Sequence, residues 1–144
     1  MDDFAIDMTL DANGILLVRM SGTFAFESWR VQRSELLRTT LAEVDFKNRA
    51  SIVDIRDSDP PQEDWLNAFD QIREELLAVH EGTGPVAFVV GMDQGKAAAS
   101  SFFKAINHSK GMGDHPVHAF SDMESALDWV LIDLQWVYPK NLTA

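Results

Sequence analysis

Residues 4–20, FAIDMTLDANGILLVRM, decide how the chain begins. Phe4, Ile6, Met8 and Leu10 are apolar, and Asp7 and Thr9 between them are polar. A period of two marks a half-buried strand, here over 4–10. Asn13-Gly14 follows, a strong hairpin signal because both residues tolerate positive φ. The partner strand is expected over 15–20, and Ser21-Gly22-Thr23 is expected to break it.

Beyond the hairpin the period changes. Trp29, Leu36, Leu37, Leu41 and Val44 fall on one helical face, so the spacing predicts a helix over 25–44. A short strand is expected over 51–56. Asp59-Pro60-Pro61-Gln62 then reads as a helix start, with Asp59 as cap and proline at the first helical position. Trp65, Phe69, Ile72, Leu76 and Val79 continue that helix at spacings of four and three. The unbroken apolar run 86–90 suits a central strand buried on both faces. A turn over 91–95, a helix over 96–107 and a loop over 108–116 come next. A last strand is expected over 117–120. Ser121-Asp122-Met123-Glu124 reads as a capping box opening a helix to about Leu134. Met123, Leu127, Val130 and Leu134 would face the core.

A hairpin followed by βα units predicts an α/β fold, a mixed sheet with helices packed on it. The 144 residues hold no repeat and no Pro/Gly/Ser-rich linker. They read as one domain, 1–144, with 135–144 as a C-terminal tail. Composition excludes several function classes. Cysteine is absent, which removes disulfides, thiolate metal sites and a cysteine nucleophile. A net charge of −11 repels phosphate backbones, so no nucleic-acid partner is expected. The acidic start lacks the basic and apolar regions of a secretory signal, and no run is long enough to span a membrane. The expected location is therefore the cytoplasm.

Three stretches, "ILLVRMSGTFAFESW", "SIVDIRD" and "VHAFSDMESALDWVL", together with the element order, resemble the STAS superfamily in its SpoIIAA-like branch. The similarity covers roughly residues 4–134. It implies a STAS-like fold and no catalytic motif. Anti-sigma-factor antagonists of this superfamily carry a phosphorylatable serine in an Asp-Ser-Ser/Thr-Gly motif. This chain has Asp57-Ser58-Asp59-Pro60-Pro61 at that place, without the glycine. Ser58 is therefore not expected to act as a phosphoswitch. Some proteins of related shape bind lipids, which adds a second expectation, a carrier with an apolar pocket between helices and sheet.

Ligands of α/β sheets gather beyond the carboxyl ends of strands. Asp57 and Ser58 after one strand, with Gly91, Gly95 and Lys96 after another, are the candidate ligand-binding residues. Gly91-Met92-Asp93-Gln94-Gly95-Lys96 lacks the spacing of a nucleotide-hydrolysing P-loop, and an anion on helix amides is the looser expectation. Asp54, Asp57, Asp59, Glu63 and Asp64 cluster, but they read as a capped helix start rather than a calcium loop. His115 and His118 would point to opposite faces of a strand, unsuited to zinc. No metal, cofactor or catalytic residue is expected. Ser100-Ser101 lacks a nucleophile elbow. Phe102, Phe103 and Ile106 beside Lys96, Lys104 and Lys110 are expected to pack on the sheet rather than on a membrane.

Trp129 lies off the predicted core stripe, and Trp136, Val137 and Tyr138 follow the helix. Exposed aromatics mark interfaces. Trp129, Ile132, Trp136 and Tyr138 are thus the candidate interface of a homodimer, the alternative being cover by the same chain. The function expected is non-catalytic: protein association or binding of a small apolar or anionic ligand.

Overall fold

The computed structural model describes residues 3–44, 49–59, 71, 74, 84–92 and 116–136. Five strands form one sheet in the order β1-β2-β3-β4-β5. They are β1 (Ala5–Leu10), β2 (Leu16–Thr23), β3 (Ser51–Asp59), β4 (Val86–Val89) and β5 (Val117–Phe120). β1 and β2 are antiparallel, and every later pair is parallel. Two helices are described, α1 (Phe26–Arg38) and α2 (Met123–Asp128). The expected mixed sheet with an N-terminal hairpin is therefore present.

The hairpin closes at the expected place, but only one residue of the Asn13-Gly14 pair has positive φ. Gly14 alone takes a left-handed conformation, at φ 82°. Gly14 N–H donates to the Asp11 carbonyl, and Asp11 N–H to the Ile15 carbonyl. This is a turn followed by a left-handed glycine, the three-residue loop. The Asp11 carboxylate selects it by accepting from the N–H groups of Asn13 (2.8 Å) and Ile15 (2.9 Å). The buried Arg49 side chain ties the loop down by donating to the Gly14 carbonyl.

Two strands run further than their sequence suggested. β2 passes through Ser21-Gly22-Thr23 instead of breaking there, and β3 reaches Asp59 instead of Arg56. The two extensions pair with each other, Gly22 with Ser58 and Thr23 with Asp59. Glycine is required at 22. Its φ is 79°, and a Cβ there would lie 2.3 Å from the Asp3 carbonyl oxygen. A glycine with this role punctuates a sequence without ending the strand.

The pleat divides the core in two. Phe4, Ile6, Met8, Val18, Met20, Ile55 and Phe88 pack on one face with Phe24 and with Trp29 of α1. Ile15, Ile52, Ala87 and Val89 pack on the other with Ala126 and Val130 of the C-terminal helix. α1 also protects the edge strand. The Gln32 amide donates to the Phe4 carbonyl (2.9 Å) and accepts from Ile6 N–H (3.1 Å), so one side chain engages two backbone groups at the start of β1, one just before it and one within it.

α1 stops at Arg38, six residues short of the expected Val44. The Thr39 hydroxyl and N–H both donate to the Glu35 carbonyl. A β-branched residue whose hydroxyl competes for a backbone acceptor is a poor helix propagator, and Thr40 repeats the problem. The following turns still bury Leu41.

The C-terminal helix departs from its prediction in cap and pitch. Its cap is Asp122, which accepts from Ser125 N–H at 2.7 Å, and not Ser121. After Asp128 the helix widens to a π turn over Trp129–Asp133, closed by Leu134 N–H on the Trp129 carbonyl. Widening rotates the stripe. Leu131 and Trp136 pack against the core where a 3.6-residue count had placed Leu134. Gln135, at φ 52°, ends the helix in a left-handed conformation.

Candidate functional site

The carboxyl ends of the parallel strands carry a set of charged side chains that the β3 backbone arranges. Between the pairs Arg19–Asp54 and Ser21–Asp57, β2 advances two residues and β3 three. This bulge lies at Ile55-Arg56, and bulges re-aim side chains. Asp54 stabilises it, taking the Arg56 N–H at 3.1 Å and the guanidinium through Nε (3.0 Å) and Nη2 (2.9 Å). The resulting fork is planar and fixed in direction.

Asp54 is nearly buried. Burial alone would raise its pKa, but the Arg56 side-chain and backbone bonds and the charges of Arg56 and Arg19 outweigh it. The carboxyl is held below its ordinary range. On the next strand Arg19 donates to Asp57 at 2.6 Å, an exposed pair. Asp122 stands across the strand ends, its carboxyl lowered by the backbone and hydroxyl bonds of Ser125 and by the charge of Arg56. Arg56 thus joins the β3 bulge electrostatically to the α2 cap. Its aliphatic stem runs past the turn after β4, 3.6 Å from where a Cβ on Gly91 would sit. Gly91 is left-handed there, and Met92 beside it is 90% exposed.

Asp57 and Gly91 therefore fall on one end of the sheet. Ser58 is near them but turned inward. It is 0% exposed and its hydroxyl donates to the Gly22 carbonyl at 2.9 Å. Gly95 and Lys96 lie outside the described residues, as do Glu63, Asp64, His115, Ser100-Ser101 and Phe102 to Lys110. Among the described residues no three His, Asp or Glu side chains converge as metal ligands. Asp54 and Asp57 instead each take an arginine. The sequence reading passed over Arg19 and Arg56. Asp54-x-Arg56 was a local signal, whereas the approach of Arg19 to Asp54 needs the β2–β3 register.

The candidate interface residues separate. Trp129 is half-buried, its ring centroid 5.4 Å from Phe120 and 5.9 Å from His118 of β5. Trp136 also packs on the α2 side of the core. Phe120 and His118 of β5 thus give Trp129 part of its cover within the chain, and the side chain stays half-buried. Ile132 remains exposed, at 64%. Tyr138 lies outside the described residues.

Comparison with known proteins adds a structural relative. An uncharacterised protein of the DUF3478 family with a SpoIIAA-like fold, from Shewanella loihica PV-4, superposes with a TM-score of 0.60 at 20% identity. The match covers 90% of this chain and 94% of that one. The fold is SpoIIAA-like. No family model and no curated protein matches the chain. The SpoIIAA-like fold agrees with the sequence resemblance and places the charged set beyond its parallel strand ends. Among the described residues no helix is long and apolar enough to cross a membrane.

Proposed function

We propose that this SpoIIAA-like domain is non-catalytic and binds a protein partner at the carboxyl ends of β3 and β4. The observation that carries this reading is Met92, 90% exposed beside the fixed Asp54–Arg56 fork. An exposed apolar side chain next to a charged pair has the make-up of an interface centre and rim. The inward, hydrogen-bonded Ser58 hydroxyl supports a partner surface that is not switched by phosphorylation at this serine. The carrier reading is less supported, because Ala87, Val89, Ala126 and Val130 fill the space between the C-terminal helix and the sheet.

The test compares affinity purification from the host with wild-type, Met92→Glu and Arg56→Glu chains of unchanged melting temperature. One protein retained in stoichiometric amount by wild type and lost by both variants is the expected result. Retention that ignores both substitutions defeats the proposal.

A second copy of the chain is the other partner, and the exposed Ile132 favours it. Sedimentation of wild type against Ile132→Asp decides this reading. Wild type that stays monomeric at high micromolar concentration removes it.

A further inference from the structure

The Asn13-Gly14 pair has a chemical liability that the hairpin geometry controls. In an Asn-Gly sequence the Gly14 amide nitrogen can lose its proton to hydroxide and attack Asn13 Cγ. The new C–N bond closes a succinimide, the Cγ–Nδ2 bond breaks, and the side-chain nitrogen leaves as ammonia. Water then opens the ring at either carbonyl, giving aspartate or isoaspartate.

Asn13 is exposed, so hydroxide and water reach it. Glycine brings no side chain to hinder the attack. The attacking nitrogen, however, is held. Gly14 N–H donates to the Asp11 carbonyl at 3.1 Å, which keeps both the proton and the nitrogen turned towards Asp11. The Asp11 carboxylate fixes that geometry through Asn13 N–H and Ile15 N–H. Arg49 holds the far side of Gly14 by its carbonyl.

We infer that Asn13 is a latent deamidation site and that the Asp11 side chain guards it in the folded protein. The reaction adds a negative charge to a chain already at −11. Its isoaspartate product also inserts a methylene into the backbone of the loop that sets the β1–β2 register.

The experiment incubates the purified chain in mildly alkaline buffer and follows Asn13 by peptide mass and isoaspartate assay. Folded wild type is compared with wild type unfolded in urea, with folded Asp11→Ala and with folded Asp11→Asn. Folded wild type is expected to keep Asn13 while the unfolded chain converts. Asp11→Ala loses both side-chain bonds and converts about tenfold faster than wild type, the factor that about 1.4 kcal/mol of easier loop opening sets. Asp11→Asn keeps an acceptor oxygen and falls between. Conversion of folded wild type as fast as the unfolded chain overturns the inference. So does folded Asp11→Asn or Asp11→Ala converting no faster than wild type.

Discussion

Phe4, Phe24 and Trp29 fill one face of the sheet, and Ala50, Ala87 and Ala126 lie in the core of the other. Large aromatic side chains on the α1 face interlock through edge and stacked contacts, Phe4 on Phe24 and Phe26 on Trp29. Small side chains on the opposite face bring the backbone of the C-terminal helix close to β3, β4 and β5. That close approach sets Asp122 across from Arg56 and frames the charged strand ends. One face stabilises the fold by the area it buries, the other by how closely it fits, and the candidate site belongs to the second.

Removing volume from the α1 face tests the first half of this contrast. Trp29 is 2% exposed. Trp29→Ala is expected to cost about 3–5 kcal/mol in urea denaturation. A loss below about 1 kcal/mol would show that the face closes over the gap and is not packed as described.

Adding volume to the other face tests the second half. Ala126→Leu puts extra methylenes against Ala87 and Val89, at an expected cost near the upper end of about 1–3 kcal/mol. A neutral or stabilising result would mean that room exists beneath the C-terminal helix. It would also revive the apolar-carrier reading.

The Asp54–Arg56 fork gives a pH-dependent test. Hydrogen bonds to charged groups contribute about 1.5–3 kcal/mol, so Asp54→Asn is expected to cost about 2 kcal/mol at neutral pH. The folded pKa of Asp54 lies below its unfolded value. Its contribution is therefore complete above the unfolded value, about 4, and disappears as pH falls through the folded value. Melting curves of wild type and Asp54→Asn should converge only below about pH 4. A constant gap down to acid would assign the effect to packing instead.

The smallest expected change is a gain. Gln135 holds a left-handed conformation that glycine adopts without the Cβ clash, so Gln135→Gly should stabilise by about 1 kcal/mol. A loss would show that the Gln135 side chain makes a contact worth more than the strain.

Strand β5 was legible to the residue, because its neighbours end it by composition. The run 86–90 was legible because both its faces are buried, and Val90 adds one more backbone bond, to Phe120. The ends of β2 and β3 were not legible. Ser21-Gly22-Thr23 and Asp57-Ser58-Asp59 each look like punctuation alone, and each is a strand because the other lies beside it. The site was legible only as a place. Asp57 and Gly91 were expected at strand ends; Arg56 was passed over although Asp54 lies two residues away, and Arg19 was not legible because only the β2–β3 register brings it to Asp57.

Periodicity by itself determined the hairpin, the mixed sheet and an amphipathic C-terminal helix. These depend on which side chains must leave water, and neighbours in sequence decide that. The tie of the hairpin loop to Arg49, the register of β3 against β2, the inward turn of Ser58 and the ring contacts of Trp129 were decided only in the tertiary structure. Each depends on a partner distant in the chain, Arg49, Arg19, Gly22 and Phe120 among them, and no short-range pattern records a partner's position.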